Sequence, residues 1–199
     1  MKNITVITAD VIGSKKYGKL QYNLMESLNK LKKHPAIIVP FSISRGDEIQ
    51  GVLDGWLKAP EIIRNLKYTC RPMNLRIGIG FGSEEEENIR PSSWEMNGPA
   101  FYHARSALEE LDRQKGYYSI IKSGISDFDN FINCIMLLVD TIQNKWTDKQ
   151  WEAVQVYEEK GTYEEAAKFL NISMQNVEKR CKAANWKQLK RAETILAKT

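Results

Sequence analysis

The stretch FSISRGDEIQGVL, residues 41–53, is strand-like on both sides of a Gly-Asp-Glu step. Two such runs separated by a few turn residues read as a hairpin. AIIVPFSIS (36–44) and IQGVLDG (49–55) are therefore expected to be strands joined only by RGDE. The step sets two adjacent carboxylates, Asp47 and Glu48, where the chain is otherwise building a sheet. Gly and Asp are ordinary turn residues, so the acids need a second reason before they count as a site.

Outward from the hairpin, strands and helices alternate. ITVITA (4–9) reads as a buried strand. Residues 19–33 place Leu20, Leu24, Leu28 and Leu31 on one helical face, and Pro35 ends that helix. APEIIRNLKYTC (59–70) is helical, and MNLRIGIGFG (73–82) is a strand with glycines at 78, 80 and 82. GPAFYHARSALEELDRQ (98–114) is a helix with proline just inside its start. YYSIIKS (117–123) is a last strand, followed by a helix from about 127 to 143. The order β-α-β-β-α-β, then α-β, matches the split βαβ, ferredoxin-like motif with an extension. Beyond Asn144 strand signals stop. The expected class is α+β: a ferredoxin-like domain over residues 1–144, then an all-helical domain over 145–199.

Composition bounds the function. The 199 residues carry a net charge of +4 and 42% hydrophobic residues, enough for a core and too mild a charge to coat nucleic acid along the whole chain. Cys70, Cys134 and Cys181 are scattered, which argues against a disulfide framework and for a reducing compartment. The first residues meet Asp10 after a short apolar run, and FINCIMLLVD (131–140) is too short to cross a bilayer. The expectation is a cytoplasmic protein with no membrane span.

Topology supplies the second reason for the acids. In a split βαβ sheet the third strand lies between the first two and runs antiparallel to both. The end of the first strand, Asp10, then sits beside the start of the third. Asp10 and Asp47 are expected to meet at one sheet edge, with Glu48 close by. Carboxylates that close repel and need a cation or a proton. Hard oxygens suit Mg²⁺ (or Mn²⁺) held together with substrate phosphates. The VIGSKK that follows Asp10 offers Gly13 and Ser14 amides, and Lys15 or Lys16 charge, to a phosphate tail.

These residues also carry a family resemblance. ITADVIGSKK resembles the first-strand signature of class III nucleotide cyclases, and ISRGDEIQ is similar to their hairpin and to the GGDEF hairpin of diguanylate cyclases. LRIGIGFG with WEMNGPAFYHARSALE resembles the later cyclase strand and its arginine-bearing helix. All four motifs, in order, resemble the SatD family, which joins such a domain to a C-terminal helix-turn-helix. The resemblance implies metal binding by Asp10 and Asp47 with Glu48 assisting, phosphate contact by Arg105, and base reading at Glu95. It departs at Phe101, Ile43 and Arg45, where cyclases carry asparagine, lysine and glycine. A missing transition-state donor costs about 10²–10³ in rate, so the departures favour binding over turnover. By analogy with cyclases that share a site between subunits, the resemblance implies a homodimer.

Elsewhere, the EEEE run at 84–87 reads as a solvated loop. His34 and His103 show no metal spacing.

TYEEAAKFLNISMQNVEKRCKAANW, residues 162–186, has the layout of a helix-turn-helix. Thr162 caps a short helix, Ala167 allows close approach, Asn171 tolerates the left-handed turn and Ser173 caps the next helix. Thr147 caps an earlier helix with Trp151, Val154 and Tyr157 on one side. From Ser173 onward seven Lys/Arg face two Glu, a net +5 that leaves −1 for the rest of the chain. Met174, Gln175, Asn176 and Lys179 are expected where base edges are read, with Arg180 and Lys182 on phosphates. Two readings follow: a DNA-binding regulator with a Mg²⁺–nucleotide site, or a working nucleotidyl cyclase or transferase. A bare scaffold, with the helices as a protein adaptor, is the bland alternative.

Overall fold

The computed structural model describes residues 1–17, 20–32, 34–44, 46–56, 60–84, 89–114 and 118–198. Lys19, Lys33, Arg45, Ala59, Tyr117 and residues 85–87, which the sequence reading assigns to elements or loops, lie outside them. Among the described residues the chain is mixed α+β, with five strands and eight α-helices.

The strands are β1 (Lys2–Val11), β2 (Ile37–Ile43), β3 (Glu48–Asp54), β4 (Leu75–Glu84) and β5 (Ser119–Lys122). The helices are α1 (Leu20–Leu31), α2 (Glu61–Thr69), α3 (Pro99–Arg113), α4 (Ser126–Gln143), α5 (Asp148–Lys160), α6 (Tyr163–Leu170), α7 (Met174–Ala183) and α8 (Trp186–Leu196). One sheet holds the strands in the order β2-β3-β1-β4-β5. β3 lies between β2 and β1, antiparallel to both, and β4 is antiparallel to β1. β5 joins β4 in parallel, the return strand of a β4-α3-β5 crossover.

The chain divides into two compact units, one of Met1–Leu137 with the last residues from Leu196, the other of Leu138–Ile195. The division falls within α4, and the boundary expected from sequence falls at its end.

In the first unit both sheet faces are buried. One buries Ile7, Ala9, Ile49, Leu53, Ile77 and Ile79 with Leu24 and Leu28 of α1, Ile62 and Leu66 of α2, and Ile132 and Met136 of α4. The other buries Ile4, Val6 and Val52 with Ala100, Phe101 and Ala104 of α3. The glycines of β4 explain how α3 comes so close. A Cβ on Gly80 would lie 1.9 Å from the Ala100 carbonyl oxygen, and one on Gly78 2.3 Å from that of Ala104. The GIGFG run is thus a seat for a helix backbone. His103 tightens the same contact, its ring Nδ1 donating to the Phe81 carbonyl at 2.8 Å. Glu84, expected in a solvated loop, is instead the buried last residue of β4; its ladder with Lys2 of β1 carries the strand one residue further than the charge run suggests.

The second unit is helical. Trp146 stacks edge-on against Trp151 at 4.7 Å and Trp186 at 6.3 Å, and its ring N–H donates to the Ala184 carbonyl at 2.9 Å. Thr147 and Gln150 close a capping box at the start of α5, and Gly161, at φ 80°, ends it. Asn171 ends α6 at φ 52°, ψ 47°, the left-handed geometry its short amide side chain tolerates.

Candidate functional site

At one end of the sheet the C-terminal end of β1 meets the starts of β3 and β4. Asp10 stands opposite Glu48 on one side and opposite Arg76 on the other. Opposed residues of antiparallel strands share a sheet face. The row Glu48–Asp10–Arg76 therefore lies on the α3 face, continuing the parity of Ile4, Val6 and Thr8.

Two adjacent carboxylates need a cation, and the sheet supplies one itself. The Arg76 guanidinium grips Asp10 as a fork, Nε to Oδ1 at 3.0 Å and Nη2 to Oδ2 at 2.5 Å. Its third nitrogen, Nη1, bonds Asp112 of α3. Glu48 Oε1 accepts from Thr8 Oγ1 at 3.0 Å and pairs with Arg105 Nη2 at 3.3 Å. Arg105 and Asp112 are seven residues apart, on one face of α3. Bidentate arginine–carboxylate pairs are among the stronger charge-assisted contacts. Three carboxylates, Asp10, Glu48 and Asp112, are thus held by two guanidinium groups.

Asp47 is not opposite Asp10. Ser44 N–H donates to the Glu48 carbonyl at 3.0 Å, which closes the hairpin so that β3 begins at Glu48 and Asp47 stays half-buried in the turn. Gly46, at φ 133°, occupies a conformation that side chains rarely adopt, which fixes the turn just before the acids. The acid that meets Asp10 is therefore Glu48, one residue beyond the expected one.

Among the described residues no three His, Cys, Asp or Glu side chains are grouped so as to hold a metal ion. Asp10 and Glu48 are hard oxygen donors in direct register, but both Asp10 oxygens and Glu48 Oε1 are already taken by guanidinium or hydroxyl groups.

The other expected residues gather at or near this end. Gly13, at φ 68°, starts a short 3-10 turn, Ser14–Lys16, just past β1, with Lys15 and Lys16 exposed. Glu95 is exposed in the 3-10 turn Ser93–Glu95. That turn is pinned by the Trp94 ring N–H to Ser42 Oγ at 2.9 Å, so it lies along β2 and β3 near Gln50. Phe101 is core, packed with Val6 and Val52, and Ile43 packs against the opposite core.

The sequence reading missed Arg76, Thr8 and Asp112. The signal for Arg76 was strand parity: it lies two residues before Gly78, on the glycine face, as Asp10 lies two beyond Thr8. Nothing in the sequence marked Asp112.

The second unit presents a different surface. Residues 171–173 form a short turn between α6 and α7. The hydroxyls of Thr162 and Ser173 cap the two helices, accepting from the Glu165 N–H at 3.1 Å and the Asn176 N–H at 3.2 Å. Val177 and Cys181 bury one side of α7. Gln175, Lys179 and Lys182, spaced i, i+4 and i+7, are exposed on the opposite side. Met174 and Asn176 are also exposed. Arg180 is turned inward: its Nε donates to Asn176 Oδ1 at 3.1 Å and its Nη1 lies 3.7 Å from Glu152 of α5.

Among the described residues no helix is long and apolar enough to cross a membrane. A search of the curated proteins finds no match to this chain. The family model of the SatD family matches residues 4–198, nearly the full length and both units. The chain belongs to the SatD family.

Proposed function

We propose that this chain is a DNA-binding regulator, with a helix-turn-helix in its second unit and a nucleotidyl cyclase-like, ferredoxin-like domain in its first that binds a nucleotide with Mg²⁺ or Mn²⁺. The observation that carries the reading is the exposed line Gln175–Lys179–Lys182 on the second helix after a short turn, backed by buried Val177 and Cys181. A recognition helix needs that division: one side packed, the other offering amides to base edges and cations to phosphates. The charge distribution agrees, since the excess positive charge lies from Ser173 onward.

For the first domain the reading is supported by β3 lying between β2 and β1, antiparallel to both, as a split βαβ sheet requires. Asp10 and Glu48 would hold the metal, with Asp47 nearby. Gly13, Ser14 and Lys15 would take phosphate, Arg105 would balance its charge, and Glu95 would face the base. A bound divalent cation would supply charge neutralisation for the polyphosphate. Turnover as a cyclase is the less favoured reading, because Phe101 fills a core position where an oriented donor would be required.

Two measurements on the full chain test this. In fluorescence-anisotropy titrations against random and genomic duplexes, binding should weaken with salt, and the Lys179→Ala/Lys182→Ala double variant should flatten the log–log slope by about two units. A folded chain with no salt-dependent DNA binding at low ionic strength would leave the protein-adaptor reading in its place. In a thermal-shift screen, a nucleotide should raise Tm only with Mg²⁺ or Mn²⁺, by mass action on the native state.

A further inference from the structure

We infer that the exposed side of α4 pairs with the same helix of a second copy of this chain, antiparallel, about a two-fold axis at the level of Met136. The residues that α4 turns into the core are Ile132 and Met136, with Phe128 and Ile135 partly buried beside them. Its other side leaves two large apolar groups in water: Phe131 is 67% exposed and Leu138 60%. Asp127, Cys134, Thr141 and Lys145 are exposed as well. Lys145 continues the helical path past Gln143, because the Asn144 N–H donates to the Asp140 carbonyl at 2.9 Å and the Lys145 N–H to that of Ile142 at 3.1 Å. The six form one line along one helix, Asp127–Phe131–Cys134–Leu138–Thr141–Lys145, in steps that alternate four and three. That alternation is the seam of a coiled coil, a line that keeps facing one partner helix.

The order of residues along the line identifies the partner. Turned end for end about Met136, the line lays each member on another member of itself: Cys134 on the partner's Leu138, Phe131 on the partner's Thr141, Asp127 on the partner's Lys145. A two-fold axis makes each of these pairs occur twice. Apolar groups then meet in the middle and opposite charges meet at both ends. A parallel pair in register would instead set Asp127 against Asp127 and Lys145 against Lys145, and like charges across an interface disfavour it. An unrelated apolar segment would cover Phe131 and Leu138 and leave the matched charges at the two ends without a cause.

The line is about 27 Å long, short for a dimer interface, so association is expected in the micromolar range. The pairing does not rest on the nucleotide or the DNA reading. Leu138→Glu puts a charge at the apolar centre and should abolish the dimer over that range. Asp127→Lys alone, or Lys145→Asp alone, sets like charges together at both ends and should weaken association roughly tenfold. The double variant Asp127→Lys/Lys145→Asp makes the end charges opposite again and should return association to within about threefold of wild type. Only an antiparallel pairing of the line with itself predicts that rescue.

The experiment is sedimentation velocity of the full chain, wild type and each variant, from about 1 to 200 µM, with folding checked by circular dichroism. The expected result is a concentration-dependent monomer–dimer boundary for wild type and for the double variant, a weakened one for each single charge variant, and a monomer for Leu138→Glu. A wild type that stays monomeric throughout overturns the proposal and leaves the face to a different protein. A dimer that Leu138→Glu does not weaken overturns it, and so does one that the charge exchange fails to rescue. Asp127, Leu138 and Lys145 are all exposed, so the variants are expected to fold. Should a charge variant fail to fold, Leu138→Glu decides: a monomer supports the α4 pairing and an unchanged dimer overturns it.

Discussion

At Asp10 the guanidinium of Arg76 forks onto both carboxylate oxygens. From sequence, relieving a crowded acid by Asp10→Asn is expected to leave the apo protein as stable as before or more so. The structure reverses the sign. The amide offers one acceptor where the carboxylate offered two, and Arg76 loses a charged partner at a site where both side chains are less than a third exposed. Asp10→Asn should lower stability by about 1 kcal/mol, read as a fall in the urea midpoint at unchanged m. Gly80 is a second residue where one atom decides. Its added Cβ would meet the Ala100 carbonyl oxygen at 1.9 Å, and backbone cannot step aside as a side chain can. Gly80→Ala should cost about 3 kcal/mol, again by denaturant melt.

At the scale of the element, the outer edge of β5 shows how a short strand is protected. The sheet ends there. Asn133 of α4 lays its amide along the free edge, Oδ1 accepting from the Ile121 N–H at 2.7 Å and Nδ2 donating to the Ile121 carbonyl at 2.8 Å. The side chain imitates a neighbouring strand and occupies groups that could template pairing with another chain. Asn133→Asp keeps one bond and sets an oxygen against the carbonyl. It should destabilise by about 2 kcal/mol and increase association on heating, measured by melting and light scattering. In the second unit the analogous device is a cap: Ser173→Ala removes the acceptor for the Asn176 N–H and should cost about 1 kcal/mol. The same variant should weaken DNA binding under the proposed function, since α7 frays first where Gln175 sits.

At the scale of the whole molecule, the cysteines report how the interior is distributed. Among the described residues Cys134 is exposed, while Cys70 and Cys181 are buried and free. Burial pushes the Cys70 thiol up to about 12, and burial with a contribution from Glu158 pushes Cys181 up to about 11. Thiolate is the reactive form. A thiol reagent near pH 8 should therefore label one cysteine quickly in the native chain and all three after denaturation. The linked pH effect has a definite sign. Both thiols stay protonated in the folded state after the unfolded chain has begun to ionise. Their contribution is full below pH about 9, the ordinary thiol value, and is lost as pH rises through about 11 to 12. Denaturant midpoints measured from pH 8 to 11 should fall, and Cys70→Ala should flatten the fall in the first unit.

Local chemistry determined much of this protein from sequence alone. Leu24 and Leu28 repeat at helical spacing, Pro99 fits the first helical turn, and Thr147, Thr162 and Ser173 each carry the hydroxyl that an uncapped N–H requires. Those elements stand where the sequence puts them because the causes lie within a few residues. Asn171 is the clearest case, its left-handed backbone following from one side chain. The strand order also set Asp10 beside the start of β3, since an antiparallel neighbour must begin where the first strand ends. Tertiary structure alone decided the register and the counter-ions. The antiparallel pairing of β1 with β3 makes Glu48, rather than Asp47, the partner of Asp10, and that register is set between strands far apart in sequence. Arg76 lies 66 residues from Asp10 and Asp112 lies 36 from Arg76. Strand parity puts Arg76 on the face of Asp10, but electrostatic pairing acts through space, so its fork on Asp10 and its bond to Asp112 are decided only when β4 and α3 are folded against β1.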